Sequence, residues 1–538
     1  MNNRVYNILF HTHTISGIFI SLALYVIFFA GSFSFFRDEI VSWERNEPLS
    51  EDWSGLGKTD FDQVLDTLDS RKGIQGWDIL FNQYYDEQRT SVSFSPPPGI
   101  EVERKGRRGN FIYLNTDNLK SYDYQSSYSL GEFLYRLHFF AQLNLWGRSG
   151  YLLAGIAAFF FLFAVITGVI VHWNKIVSNF YLFRPYNSLK NLWTDAHTGL
   201  GILGLPYQFM FALTGVYLII GFSFMSPPLL SFAYGGDQEK LNEDFEFSQP
   251  KFIPAGKPLE TTASVNALVG KTLEMWPEMV IRNVNVLNYG DQNMHVKIEG
   301  HPSFSSKFAG LGGVVYHAAS GQIVSQKELM KDTSFYNGAK ATMIRLHFGD
   351  FGGVGLKLIY FGLGILSCFV IISGVLIWQV ARDKKHVQPA KRKFNAWLVW
   401  FYLAAAFSMF PVTALTFVGV KLFLEPDSLD RSTFIYQTFF WSWLAFTVLF
   451  TCLRSNWLTN KICLLLGGVL GLLVPIANGI KSGRWFWESF MQGHSDVFLI
   501  DVFWLVLGMV ALWFGILLKN KSVKSSQQEK AEVMASSI

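Results

Sequence analysis

Three cysteines in 538 residues are too few to staple a fold, and the two long polar segments contain none. Cys368, Cys452 and Cys463 each lie in or at the end of an apolar run, which excludes a disulfide framework, a thiolate metal cage and a Cys-x-x-Cys-His attachment for covalent haem. An oxidising compartment would leave no mark on such a chain. Charge is scarce as well, at 16% of residues with a net +4, and the basic excess falls in short loops, so no nucleic-acid partner is called for. Nucleotide fingerprints are also missing. The glycines at 349–355 follow an amphipathic piece instead of a buried strand, and no Walker or flavin-type motif occurs.

Apolar surface is what the chain has in excess: 50% hydrophobic and 17% aromatic residues. Runs near the ~20 residues needed to cross ~30 Å of hydrocarbon occur at 15–36, 151–173, 198–222, 354–380, 397–420, 434–453, 462–480 and 497–518. These predict a mainly α, polytopic membrane protein of eight spans. The first run follows Arg4 and continues through Phe33, Phe35 and Phe36 without a small-residue cleavage site, so it reads as an uncleaved anchor. Arg382, Lys384, Lys385, Lys391, Arg392 and Lys393 mark the loop at 381–395 as cytoplasmic. Both termini and the loop at 174–196 then fall inside, while 37–130 and 226–338 fall outside as two small α+β domains. Residues 61–68 read as a helix and 111–114 as a strand in the first domain. In the second, 261–276 reads as a helix, 280–286 and 294–298 as strands, and 313–324 as a hairpin turning at Ala319-Ser320-Gly321. A polar tail closes the chain at 519–538 and reads as disordered.

The chain repeats itself. Arg136-Leu137-His138-Phe139 returns as Arg345-Leu346-His347-Phe348, each at the end of a short amphipathic piece (130–140 and 338–348) that precedes a span. His13-Thr14 is followed by Gly17 and Gly31, and His197-Thr198 by Gly201 and Gly215 at the same offsets. Thr167-Gly168-Val169 matches Ser373-Gly374-Val375. A tandem duplication is implied, with two halves of helix, polar domain, helix covering 1–173 and 197–380. The last four spans, 396–518, carry no histidine inside them, and Pro411 is their main irregularity; they read as a packing or partner-binding appendage.

Histidines related by a pseudo-twofold can face each other, and facing neutral imidazoles are what a six-coordinate haem iron requires. The competing explanation is that the repeat preserves packing, with each ring wet at the lipid interface. His138 opposite His347 is the simpler pair, at the outer face. At the inner face His13, His172 and His197 compete for two places: symmetry favours His13 with His197, yet His172 lies one turn beyond Gly168. The glycines beside these residues serve either porphyrin clearance or close helix packing. His11 faces away from His13, and His295, His301 and His317 are scattered through the second external domain.

The order His-Thr-x-x-Gly, Arg-Leu-His, Thr-Gly-Val-Ile-Val-His-Trp, then Asp195-Ala196-His197-Thr198-Gly199 and a second Leu-His resembles the PepSY-associated transmembrane family over residues 1 to about 380. The resemblance implies a bacterial inner-membrane protein with b-type haem, two of them on this reading, held through His13, His138, His172, His197 and His347, and a periplasmic PepSY-like domain at 226–338. It also implies reduction of ferric iron in a siderophore or other chelate. Electrons would come from a quinol in the bilayer or from a separate cytoplasmic reductase. Two other classes compete: a non-enzymatic regulator whose external domains restrain a periplasmic protease, and a transporter for iron or a chelate.

Overall fold

The computed structural model describes residues 2–519 apart from 48, 50–54, 84–88, 98–110, 116–118, 182–188, 245–250, 261–263, 332 and 427. The tail beyond 519 and the first residues of the helix expected over 261–276 lie outside the described residues. Among the described residues, eight helices are long and apolar enough to cross a membrane, which makes the chain a multi-pass membrane protein.

The first span, α1 (Asn3–Ser34), begins well before its apolar run because the Asn2 side chain caps it, accepting from the Arg4 amide. Next comes α2 (Arg37–Arg45), a polar helix that is nevertheless buried. The first external segment holds α3 (Phe61–Lys72) and strands β1 (Asp78–Asn82), β2 (Arg89–Ser95), β3 (Phe111–Asn115) and β4 (Ser121–Tyr122). Then follow α4 (Leu130–His138), the second span α5 (Ser149–His172) and the short α6 (Ile176–Phe180).

Hydropathy predicts one uninterrupted third span over 198–222, but the chain is broken there into α7 (Leu189–Leu203), α8 (Leu205–Val216) and a π-helical stretch, Tyr217–Met225. Pro206 stands in the first turn of α8. It has no amide hydrogen, and its ring crowds the preceding turn, so α7 ends and a new helix starts. After α9 (Ser226–Ala233) and α10 (Gln238–Asp244), the second external segment supplies α11 (Val265–Met275), β5 (Met279–Leu287), β6 (His295–Pro302), β7 (Gly312–His317) and β8 (Gln322–Lys327). The chain returns to the membrane through α12 (Phe335–Phe348) and the fourth span, α13 (Gly353–Arg382).

Among the described residues the external segments match in kind: each sets one capped helix, α3 capped by Asp60 or α11 capped by Ser264, beside four strands. Each segment's α+β unit is, however, half of a joint structure. All strands form one antiparallel sheet in the order β4-β3-β2-β1-β5-β6-β7-β8, closed at the centre by β1 against β5, with Ile79 opposite Val286 and Phe81 opposite Val284. The order reads the same from either edge, as a twofold between β1 and β5 demands. Alternation along the strands turns Ile79, Phe81, Ile281, Val284 and Val286 inward, where they meet Phe61, Val64 and Leu65 of α3 and Val265 and Val269 of α11 in one core.

The last four spans are α14 (Pro389–Phe423), α15 (Arg431–Cys452), α16 (Asn456–Ser482) and α18 (Ser495–Leu517), with the short α17 (Phe486–Met491) before α18. Pro411 sits inside α14, which runs on through it. In the other half of the bundle, α1 packs against α5 and α13, α7 packs against α13, and α5 packs against α8.

Candidate functional site

Two histidine pairs face each other at two levels of the bundle. Toward the sheet, the rings of His138 and His347 are 5.9 Å apart between centroids. Toward the opposite end, those of His13 and His197 are 6.3 Å apart. Each pair takes one ring from each half of the duplication. Two imidazole–metal bonds of about 2 Å each, with the depth of each ring behind its nitrogen, put trans ligands roughly 6 Å apart between centroids. Both pairs meet that spacing.

Every one of the four rings is held by its Nδ1. His13 Nδ1 donates to the Ala164 carbonyl at 2.9 Å, and His197 Nδ1 donates to the Val370 carbonyl at 2.9 Å. Thr167 Oγ1 (3.4 Å) and Ser373 Oγ (3.2 Å) stand beside those contacts in matching places. His138 Nδ1 donates to the Ile27 carbonyl at 2.8 Å. His347 Nδ1 lies 2.8 Å from Thr214 Oγ1, whose own proton goes to the Met210 carbonyl at 2.7 Å; the hydroxyl therefore accepts from the ring. A carbonyl or spent hydroxyl at Nδ1 fixes the hydrogen there and leaves the lone pair on Nε2. That is the arrangement in which a neighbouring acceptor orients an imidazole for a metal.

The repeated glycines differ in what they face, and a Cβ at Gly215, the counterpart of Gly31, would meet only Ala158, at 3.5 Å. A Cβ at Gly168 would come within 3.2 Å of the His13 ring and one at Gly374 within 3.2 Å of the His197 ring, so these two make room for the imidazoles. A Cβ at Gly31 would lie 2.5 Å from His138 Nδ1. Gly17 and Gly201, one turn beyond His13 and His197, would meet nothing within 4 Å. Small residues facing open space beside paired neutral imidazoles fit a flat macrocycle, and the donor set suits iron.

His172 ends α5, half-buried, and is not a member of the His13–His197 pair. His11 lies on the exposed side of α1. Two histidines scattered in the sequence do meet in space: His295 and His317 are directly opposite on β6 and β7, with centroids 5.1 Å apart. His301 accepts from Arg282 Nε at 2.8 Å and stacks on Phe304. Among the described residues no group of three or more His, Cys, Asp or Glu could hold a free metal ion.

The groups that sequence reasoning missed are the acceptors. Ala164, Val370 and Ile27 act through backbone carbonyls, which have no side-chain signature. Thr167 and Ser373 did carry a signal, since each precedes the repeated glycine. In place of a backbone carbonyl, Thr214 holds His347, so the two halves are not identical in their anchoring.

A family model described as the PepSY-associated TM region matches residues 10–381. An uncharacterized protein of Pseudomonas aeruginosa is 22% identical over 345 residues, covering 62% of this chain and 83% of that relative. The match takes in both histidine pairs and the whole joint sheet and stops before α14.

Proposed function

The chain belongs to the PepSY-associated TM region family, and we propose that it is a haem-b oxidoreductase of the bacterial inner membrane that carries electrons across the bilayer to ferric iron held in a chelate on the sheet side. One observation carries this reading: two facing imidazole pairs, each with Nδ1 anchored and Nε2 free, at two depths of one bundle. Haem b, when bound, supplies an iron that cycles between the ferric and ferrous states. His13 with His197, and His138 with His347, would hold it from both faces. His172 would stand beside the first pair without completing it.

The chain's own part is orientation and exclusion of water. From His13 to Ile27, whose carbonyl holds His138, α1 rises about 21 Å at 1.5 Å per residue. That is most of the hydrocarbon thickness. Toward the sheet-side level the interior is aromatic: Phe28 meets Phe161 edge-on at 5.2 Å, and Phe211 lies tilted between Tyr207 (4.3 Å) and His347 (5.0 Å). Such a lining keeps charge and water out of the path. At the sheet side the acceptor would be a siderophore-type complex, since hard oxygen donors favour the more highly charged ferric ion and release iron once it is reduced.

An absorption spectrum tests this. The purified full chain is expected to show a b-type Soret band, and His138→Ala and His347→Ala are each expected to remove about half of the haem while His13→Ala and His197→Ala remove the other half. Absence of any Soret band, or haem content indifferent to all four changes, would overturn the reading.

A further inference from the structure

An open-sided groove of about 970 Å³ runs along the end of α1 away from the sheet, on the face that carries His11 and not on the face that turns His13 toward His197. Its α1 wall is a stripe at four-residue spacing, Asn7, His11, Ile15 and Phe19, so these side chains lie one above the other on one face. The chemistry switches along that stripe. Asn7 and His11, with neighbouring Thr12, are polar, and the wall then turns apolar at Ile15 and Phe19, with Phe19 set edge-on to Phe160 of α5 at 6.2 Å. The polar end lies at the level where α1 leaves its apolar run. The apolar end lies within it.

Two hydroxyls in this wall are spoken for as donors. Thr12 Oγ1 donates to the Ile8 carbonyl at 2.6 Å and Ser16 Oγ to the His13 carbonyl at 3.2 Å, so both present lone pairs to an occupant. A ligand suited to this wall has hydroxyl donors on a ring-sized head and a branched apolar tail. A phospholipid would need cationic partners for its phosphate, and Arg4 is the groove's one cation among the described residues.

We propose that this groove seats an isoprenoid quinol, with its hydroxyls toward His11 and Thr12 and its tail along Ile15 and Phe19. The proposal rests on the haem reading and deepens it by naming the electron donor. Oxidation removes two electrons and two protons from the quinol and leaves a quinone. The two electrons would pass one at a time across α1 to haem held by the His13–His197 pair, and two ferric chelates on the sheet side would take up one electron each. Both O–H protons go to water at the polar end of the groove. The absence of any nucleotide-binding motif agrees with a donor that arrives through the bilayer.

The test is photolabelling of the purified full chain in detergent with an azido-substituted short-tail quinone, mapped by peptide mass spectrometry. Label is expected on residues 7–19 of α1 and near Phe160, displaced by excess unlabelled quinol. Ile15 is 64% exposed, so Ile15→Trp fills the groove without disturbing the core, and it is expected to cut labelling at least tenfold. Phe369→Trp, at an exposed position of α13, is the control that leaves labelling unchanged. Reduction of the Soret band by a short-chain quinol should slow about tenfold in Ile15→Trp at unchanged haem content. Label falling elsewhere, label indifferent to Ile15→Trp, or label displaced by phospholipid in place of quinol overturns the proposal. Labelling needs no haem, so a labelled groove in a protein without a Soret band would sink the haem reading and leave the quinol seat standing.

Discussion

At the scale of single residues, the hydrogen on Nδ1 decides the chemistry of each imidazole, and the glycines decide whether the ring can be there at all. Gly31→Ala places a methyl 2.5 Å from His138 Nδ1 and is expected to displace that ring, whereas Gly362→Ala, at an exposed position of α13, meets nothing within 4 Å and should be silent. Comparing the haem content and Soret position of the two variants checks this; equal behaviour would show that Gly31 does not serve His138. Outside the membrane, His301 has both ring nitrogens engaged in the neutral form, Nδ1 donating to the Pro302 carbonyl and Nε2 accepting from Arg282. Burial, with the charges of Arg282 and Arg345, pushes its pKa down from 6.5 to about 4. The unfolded chain therefore takes up this proton first as pH falls, so stability declines between pH 6.5 and about 4 and levels off below. His301→Gln should flatten that part of a melting-temperature profile; an unchanged acid limb would remove His301 as its cause. The paired histidines could be found in the sequence because a duplication writes them twice. Their acceptors could not, because a carbonyl is common to every residue.

At the scale of elements, the last four spans are tied to α2 and α4 by buried polar contacts. Arg431 at the start of α15 pairs with Glu44 of α2, both fully buried, and also donates to the Tyr128 carbonyl at 2.9 Å. Glu44 accepts in turn from the Leu130 amide at 2.7 Å, at the first turn of the helix that ends in His138. Trp43 donates to Asp501 of α18 at 2.8 Å, and Lys421 of α14 donates to Asn46 at 2.7 Å. The appendage thus grips the polar helix that supports one sheet-side imidazole. Removing one partner of a buried pair leaves the other charge without compensation, at a cost of about 3–5 kcal/mol. Arg431→Met is accordingly expected to lower thermal stability and loosen haem at the His138–His347 level, while Arg431→Met with Glu44→Leu recovers most of the stability. A double variant no more stable than the single one would refute the coupling. Hydropathy located all eight spans, but nothing in it could reveal this grip, since Glu44 and Arg431 are close only in the folded chain. The break at Gly204 was legible from Pro206 and was hidden by reading the apolar run as continuous.

At the scale of the whole molecule, one pseudo-twofold organises membrane and external parts alike. Each histidine pair and the sheet centre take one member from each half. Val284 is wholly buried beside the β1–β5 seam, opposite Phe81, so Val284→Asp sets an unpaired charge there and is expected to cost several kcal/mol. Because both halves meet at that seam, the external domain should unfold in a single transition by calorimetry; two separate transitions would show that the segments are independent. Strands β3, β5 and β6 and the β7–β8 hairpin are legible in the sequence within a few residues, whereas the joining of the two external segments into one sheet is not. Strand alternation records which face is buried and is blind to which edge meets which.

The β1–β5 seam has a bearing on ancestry. A protein made of one half alone would carry a lone imidazole for each site and a bare strand edge, and only two identical copies docked about the axis could make a working unit. Gene fusion converts that concentration-dependent meeting into a tethered one, at the millimolar effective concentrations typical of short linkages. It also freed the copies to diverge, and Thr214 standing in for a carbonyl on one side only is a trace of that freedom.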